Sequence, residues 1–351
     1  MNPAVQRLTE EVIALHAYLV TAHQPDQHLR RLVDRLKITG TVYLHVDAKV
    51  AIEPFCDLDA VLIPDRMVIR YPTVSMTRAV LNLARRALAD GATRFTLLRQ
   101  QHYPIVSDAR LIELSYNTTT DFIAAHSAPD ASRGKPVERF NRRASPFGVH
   151  GQLSYKIASG LIARLFPPLN WEQALDGRQL RAGSAYWSLT APTVAGILDE
   201  VQRGGPQIDY FHLIPSPDES FWHTLVPRYS TSLDCRPISW STWGDGQHPL
   251  PLDRDALIEA MADPAYLFAK KFTDANADLA DWVEERTVAP TIVPEVVPAA
   301  AQLTMAAPPR VPASTSSASG TRPTGFDVRS SGSGHRHNPA PGRSRLLQSP
   351  R

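Results

Sequence analysis

Two adjacent carboxylates, Asp218 and Glu219, are the side chains of this sequence best suited to acid–base chemistry. They follow Pro217 and precede a Phe–Trp pair. A carboxylate near apolar rings tends to have a raised pKa, which suits a general base. The same residues also suit a helix start, with Ser216 as the cap, Pro217 in the first turn and both acids favouring the helix dipole. Composition alone favours the helix start.

A glycine followed by aromatic residues, in residues 183–189 (GSAYWSL), suggests a surface for a sugar. Glycine lets a ligand or another backbone approach closely, and aromatic rings offer flat apolar faces. Ser184, Tyr186 and Trp187 are therefore candidates for contact with a sugar, together with Asp218. The alternative is a buried strand that follows a turn.

Two basic segments have residues that suit a diphosphate. Residues 267–272 (LFAKKF) contain two lysines, which could bind phosphate as point charges. Residues 234–240 (DCRPISW) contain Arg236, which could bind a diphosphate through two hydrogen bonds. Taken alone, the lysines are more typical of a solvated helix face and the arginine of a surface ion pair.

Metal and cofactor motifs are weak in this chain. Two D-x-D matches occur, at residues 57–59 and 253–255, and such a pair can hold a divalent cation on a diphosphate. The pattern is short and arises often by chance, so we predict no metal and no cofactor. Zinc-type spacing, a Walker-type phosphate loop and a Gly-rich dinucleotide motif are missing from the sequence.

The elements that would position these residues alternate between strand and helix. Apolar runs predict strands over residues 15–21, 41–46, 67–70 and 94–98. Apolar residues at helical spacing predict helices over residues 25–37, 75–90 (with Ser75 as the cap), 153–166, 193–203 and 257–262. We expect an α/β fold with a mostly parallel twisted sheet covered by helices on both faces, and ligands at the carboxyl ends of its strands. The basic segment 127–144 is predicted to be a long loop.

Composition divides the chain of 351 residues into a body and a tail. Residues 291–351 carry seven Arg against Glu295 and Asp327, whereas the whole chain has a net charge of +2. The slightly negative body argues against binding of nucleic acid. Residues 289–351, rich in Pro, Ala, Ser and Arg, are predicted to be a disordered tail without a defined partner.

The body, residues 1–288, is expected to be one domain with a nucleotide-binding half at about 15–110 and an acceptor and catalytic half at about 145–280. Two cysteines exclude a disulfide framework and suggest a reducing compartment. We find neither a targeting signal nor an apolar run of about 18 residues that could span a bilayer. The expected location is the cytoplasm.

The order of these motifs along the chain resembles the core-2/I-branching N-acetylglucosaminyltransferase and peptide O-xylosyltransferase family. The resemblance covers about 260 residues and rests on AYLVTAH, YLHVDAK, an Arg followed five residues later by Ser, QHYPI, GSAYW, PDE and LFAKKF. These segments begin at residues 17, 43, 70, 101, 183, 217 and 267. The lack of the animal members' cysteines and anchor is expected of a short, soluble bacterial member.

The resemblance implies a GT-A-like fold and an inverting, metal-independent transfer from a UDP-sugar, giving a β-linkage. By position, Glu219 matches the family's catalytic base, Lys271 its diphosphate-binding lysine and Arg236 the companion arginine. His45, Asp47 and Arg70 fall in the nucleotide-side region. The acceptor-side candidates are Ser184, Tyr186, Trp187 and Asp218.

Several departures from the family's pattern keep other functions open. Residues 71–73 (YPT) replace an aromatic followed by glycines, Arg99 and Gln100 replace Ser-Gly, and His102 replaces an aspartate. The leading hypothesis is transfer of N-acetylglucosamine to a carbohydrate hydroxyl, with xylosyl transfer as an alternative. The departures motivate a second hypothesis, a non-catalytic module that binds UDP-sugars or glycans. A third is an interaction protein that works through its tail.

Overall fold

A seven-stranded mixed sheet forms the centre of the computed structural model, which describes residues 16–145, 153–243 and 249–288. The strand order is β10-β6-β9-β4-β1-β2-β3. The strands in chain order are β1 (His16–Ala22), β2 (Thr41–Val46), β3 (Val61–Leu62), β4 (Arg94–Arg99), β5 (Tyr103–Pro104), β6 (Thr120–Ile123), β7 (His126–Ser127), β8 (Arg181–Ala182), β9 (Trp187–Thr190), β10 (Ser232–Asp234), β11 (Ser239–Ser241) and β12 (Phe268–Lys270).

The helices of the described residues connect these strands. They are α1 (Gln27–Leu36), α2 (Ser75–Ala89), α3 (Asp108–Tyr116), α4 (Glu138–Asn141), α5 (Leu153–Leu165), α6 (Trp171–Ala174), α7 (Ala191–Arg203), α8 (Pro206–Leu213), α9 (Phe221–Tyr229), α10 (Arg254–Ala262) and α11 (Ala277–Thr287). Short 3₁₀ turns lie at Glu53–Phe55, Ala131–Arg133, Pro217–Glu219 and Asp274–Asn276. None of these described helices is both long and apolar enough to cross a membrane.

Alternation along the central strand β1 gives the fold its two cores. All seven residues of β1 are buried, as is typical of a strand covered on both faces. Ala17 and Leu19 belong to a cluster that includes apolar residues of α2, α7 and α9. Tyr18 and Val20 belong to a second cluster, which includes residues of α1, α3, α10 and α11. The prediction of an α/β sheet with helices on both faces is confirmed.

Strand direction brings the candidate residues to one edge of the sheet. β1 pairs in parallel with β2 and β4, β2 with β3, and β6 with β10, whereas β9 runs antiparallel between β4 and β6. The residues before β9 therefore lie at the edge where β4 and β1 end. Tyr186 and Arg99 lie close together there. Strands from both predicted halves of the body belong to this one sheet.

The predicted third strand at residues 67–70 is wrong, because the edge strand is β3, at Val61–Leu62. Side chains bind N–H groups of the later segment, and the Ala48 N–H donates to the Met67 carbonyl. His45 Nε2 accepts the Met67 N–H at 2.8 Å, and Asp47 Oδ1 accepts the Ile69 N–H at 3.3 Å.

Two further local predictions also need correction. Ser75 does not cap α2, since the cap residue is Val74 and the Ser75 hydroxyl instead accepts the Arg70 N–H at 2.8 Å. The segment 127–144 is more than a loop, because it contains the end of β7, a 3₁₀ turn and α4. The predicted tail, 289–351, lies outside the described residues.

Candidate active site

The two carboxylates lie on the 3₁₀ turn Pro217–Glu219, between α8 and α9. Ser216 adopts the left-handed conformation, with φ 48°, and makes no capping hydrogen bond through its side chain. Its N–H instead donates to the Pro72 carbonyl at 2.6 Å, and the Gly183 N–H donates to the Glu219 carbonyl at 3.0 Å. Backbone contacts from two other segments therefore hold this turn in place.

Gly183 permits that contact because its backbone lies against another carbonyl. A Cβ added at this position would lie 1.6 Å from the Ala124 carbonyl oxygen and 3.2 Å from the His223 ring. No side chain fits there without moving the backbone. The glycine of the GSAYW motif therefore serves a close approach between chain segments beside Glu219.

Two cations from the basic segment 127–144 bind Glu219. Lys135 Nζ and Arg139 both donate to Glu219 Oε2, the arginine at 2.5 Å. The side chains of Lys135, Arg139 and Glu219 are 16%, 22% and 30% exposed. A half-buried carboxylate thus shares one of its oxygens between two half-buried cations.

The surroundings separate the two carboxylates in proton affinity. Burial alone would raise the pKa of Glu219, but Lys135 and Arg139 outweigh it and lower that pKa. Burial raises the pKa of Asp218, as does the neighbouring Glu219, and Arg99 offsets this only in part. The raised pKa expected for a base near apolar rings is thus wrong for Glu219, because its two cationic neighbours come from a segment distant along the chain.

A second group of cations, Arg99 and Lys270, contacts Asp218 and Tyr186 beside a small cavity. Arg99 donates to Asp218 Oδ2 at 3.2 Å. Lys270 Nζ donates to the Tyr186 hydroxyl at 3.0 Å and lies 4.3 Å from the centroid of that ring. Burial would raise the pKa of Tyr186, yet Arg99 and Lys270 together lower it. Arg99, Tyr186 and Asp218 line the cavity, which Trp222 also borders.

The other acceptor-side candidates have structural contacts. Trp187 is fully buried on β9, where its ring packs against Trp222 with centroids 4.6 Å apart. The Ser184 carbonyl lies 2.8 Å from His223 Nε2. Burial lowers the pKa of His223 to about 4, so this histidine is neutral near pH 7.

The nucleotide-side candidates lie at the carboxyl end of β2, which contains His45, and in the segments that follow it. His45 is fully buried and Asp47 nearly so, and both accept hydrogen bonds from the segment 67–69. Asp47 also pairs with Lys49 at 3.2 Å. Arg70, which follows this segment, is exposed. His45 and Asp47 therefore support the backbone that presents Arg70.

The two predicted diphosphate cations lie apart from Glu219 in the contacts of the described residues. Arg236, 66% exposed, donates to both oxygens of Asp234, at 3.0 and 2.6 Å. It lines a surface groove that shares no residue with the cavity at Tyr186. Lys271 is half-buried directly after β12, and its carbonyl accepts from Asn276 at 3.1 Å.

Four site residues escaped selection from the sequence: Arg99, Lys135, Arg139 and Lys270. In the sequence, Arg99 stands out only as a departure from the family's pattern, and Lys270 is the neighbour of Lys271, which matches the family's lysine. Lys135 and Arg139 lay in a basic segment assigned to a loop.

Both D-x-D matches have other contacts. Asp57 pairs with Arg30 at 2.9 Å, and Asp253 caps α10 by accepting the Ala256 N–H at 2.8 Å. Within the described ranges, no group of three or more His, Cys, Asp or Glu side chains is arranged to hold a metal ion.

Comparison with known proteins relates the chain to one enzyme family. The family model described as Core-2/I-Branching enzyme matches residues 16–254. No curated protein matches the chain. Among solved structures, a mannose-1-phosphate geranyltransferase from Thermus thermophilus is similar, with 12% identity, a TM-score of 0.30 and coverage of 63% of this chain and 72% of that one. The matched residues include Glu219, Asp218 and Tyr186, and the chain belongs to the Core-2/I-branching enzyme family of glycosyltransferases.

Proposed function

We propose that the protein transfers a sugar from a UDP-sugar to a carbohydrate hydroxyl with inversion and without a metal, N-acetylglucosamine being the first candidate. The observation that carries the proposal is the state of Glu219. This half-buried carboxylate is held on its turn by the Gly183 N–H and contacts Lys135 and Arg139, whose charges keep it in the ionised form that accepts a proton. Family membership supports the reaction class.

Glu219 is proposed as the base. The acceptor oxygen forms a bond to the anomeric carbon while its proton passes to Glu219. The bond from the anomeric carbon to the diphosphate breaks, and UDP leaves from the opposite face with the bonding electrons. A positioned base contributes about 10²–10⁴ in rate.

The negative charge that develops on the diphosphate needs fixed cations. By position in the family motif, Lys271 and Arg236 are proposed for this role, and His45, Asp47 and Arg70 for the nucleotide side. Arg236 would have to exchange Asp234 for phosphate oxygens, and its high exposure allows such a movement. Ser184, Tyr186 and Asp218 are proposed on the acceptor side, whereas Trp187 belongs with the core.

A binding module without turnover is the second candidate function. The contact of Glu219 Oε2 with Lys135 and Arg139 favours it, because an occupied carboxylate oxygen is a poorer proton acceptor. Such a module would bind UDP-sugars and transfer nothing. UDP-xylose as the donor remains an alternative within the enzyme hypothesis.

Calorimetric titration tests the proposal directly. UDP, UDP-N-acetylglucosamine, UDP-xylose and UDP-glucose are titrated into the purified protein with EDTA present throughout, with GDP as the control nucleotide. Binding of UDP and of one sugar derivative in EDTA is the expected result. Binding only after Mn²⁺ addition would contradict metal independence, and no binding under either condition would contradict a UDP-sugar site.

A further inference from the structure

The surroundings of the two carboxylates carry an excess of positive charge. In the described part of the chain, four cationic side chains contact either the carboxylates or Tyr186: Arg99, Lys135, Arg139 and Lys270. Only two negative side chains, Asp218 and Glu219, oppose them in these contacts. A site of this composition has capacity for a further anion.

Lys135 and Arg139 account for the part of this excess nearest the base. Both are less than a quarter exposed, and burial of a cation is costly unless an opposite charge is present. Here two cations share one carboxylate, and both donate to the same oxygen. Among the described contacts, these two cations therefore carry one more charge than the Glu219 carboxylate that they share.

The backbone around these two cations is well anchored. Lys135 and Asp130 exchange backbone hydrogen bonds of 2.9 and 2.7 Å across a tight turn. Arg139 lies on α4, next to the fully buried Phe140, whose carbonyl accepts from the Tyr210 hydroxyl at 2.9 Å. The cations are thus held in place before any ligand binds, which lowers the entropic cost of binding one.

The contact of Lys135 and Arg139 with Glu219 indicates which substrate, the donor or the acceptor, these two cations face. In an inverting displacement the base contacts the acceptor hydroxyl, and the diphosphate leaves from the opposite side of the reacting carbon. Groups within hydrogen-bonding distance of Glu219 therefore lie on the acceptor side. This step rests on the proposed function, and it argues against the donor diphosphate as the ligand of Lys135 and Arg139.

We infer that Lys135 and Arg139 form a subsite for an anionic group of the acceptor, so that the natural acceptor is a saccharide bearing a carboxylate or a phosphate close to the reacting hydroxyl. The anion takes over the hydrogen bonds that both cations make to Glu219 Oε2. Glu219 then becomes free to accept the hydroxyl proton. Binding of the correct acceptor thereby activates its own base.

Matched acceptor pairs test this inference. Methyl β-glucoside is compared with methyl β-glucuronide and with methyl β-glucoside 6-phosphate, and methyl β-galactoside is compared with methyl β-galacturonide. Each compound is titrated into the full-length protein saturated with UDP. At least one anionic member should bind tenfold or more tightly than its neutral partner, the size expected for a charge-assisted contact. The carboxylate and phosphate arms identify which anion is preferred.

Variants of Lys135 and Arg139 test whether these two residues cause the preference for anionic acceptors. The double variant Lys135→Gln/Arg139→Gln, and each single variant, should reduce the preference toward equal binding. Arg133→Gln is the matched control, because this exposed arginine pairs with Asp130 and does not contact Glu219 in the described structure. It should keep the wild-type preference.

Equal affinity for both members of every pair would overturn the inference, and so would a preference that the double variant retains. The prior UDP titration separates this failure from failure of the proposed function. A protein that binds UDP but shows no preference for anions contradicts only the subsite.

Discussion

Asp218 and Glu219 are neighbours in sequence, yet their surroundings shift their pKa values in opposite directions. The pKa of Asp218 is raised by burial and by the charge of Glu219, whereas Lys135 and Arg139 lower that of Glu219. Pairs of carboxyl groups separated in this way often divide acid and base roles. Glu219, whose pKa is lowered, ionises more readily than Asp218, and it is the one that we propose as the base.

Replacing Lys135 with Gln should move the acidic limb of the pH profile of kcat/KM to higher pH. The groups that act on Glu219 are Lys135, Arg139, Asp218 and His223, and Lys135 is the first of the cations that lower its pKa. Without it, Glu219 binds its proton more tightly, so the ionised base forms only at higher pH. Initial rates over a series of buffers measure the limb.

The conservative variant Lys135→Arg is the control, and it should keep the limb near its wild-type position. An unchanged limb in Lys135→Gln would contradict the assignment of Glu219 as the group that titrates.

The adjacent lysines at the end of β12 offer a second residue-level test. Lys271 is the lysine that we propose for the diphosphate, while Lys270 donates to the Tyr186 hydroxyl. Lys271→Gln should weaken UDP binding by about tenfold, the size of a lost charge-assisted hydrogen bond. Lys270→Gln, its matched control, should affect UDP affinity less. The opposite ranking in calorimetry would transfer the diphosphate role to Lys270.

At the scale of elements, one antiparallel strand organises the site. β9 lies between β4 and β6, and its register pairs Thr96 with Ser188. Because β9 starts where β4 ends, Tyr186 comes close to Arg99, and the 3₁₀ turn with Asp218 approaches the same edge. A fully parallel sheet would have placed Tyr186 at the far edge.

Gly183→Ala should destabilise the protein and reduce turnover together. The new Cβ would overlap the Ala124 carbonyl, and overpacking of this kind costs on the order of 1–3 kcal/mol. The movement also affects Glu219, whose carbonyl accepts the Gly183 N–H. Denaturant unfolding and initial rates measure both effects.

The control is Gly160→Ala in α5, where an added Cβ meets nothing within 4 Å. Wild-type stability in Gly183→Ala would show that the close approach to Ala124 does not constrain the fold.

Periodicity predicted the long elements well and the short ones poorly. The predicted strands over residues 41–46 and 94–98 are confirmed, as is the helix predicted over residues 75–90, because each buries a regular apolar pattern. The segment 67–70 misled because its apolar residues resemble a strand. Its N–H groups bind His45 and Asp47, which are distant in sequence and give no local signal.

The candidate site residues show the same contrast between features with a local sequence pattern and contacts that only the fold creates. Glu219 and Tyr186 stand in motifs whose order along the chain is specific, so the sequence alone suggests them as candidates. Lys135 and Arg139 lie 84 and 80 residues from Glu219, and only the tertiary fold brings them to it. Long-range ion pairs of this kind leave no periodic pattern in a single sequence.

At the scale of the whole molecule, the described contacts of the candidate site all lie within residues 16–288. The family match ends at residue 254, and the compact unit of the chain ends at Val293. Removal of residues 294–351 should therefore leave the unfolding midpoint and the affinity for UDP unchanged. Calorimetry on the full chain and on the shortened chain checks this. A marked loss of either would mean that the tail takes part in folding or binding.

The measurement that tests the central claim most directly is turnover and UDP affinity in Glu219→Gln. Loss of the base should reduce turnover by at least about two decades, while the affinity for UDP stays at the wild-type value. Glu113→Gln, at an exposed glutamate that pairs with Arg110, is the matched control and should behave as wild type. Wild-type turnover in Glu219→Gln would contradict the account and remove Glu219 as the base.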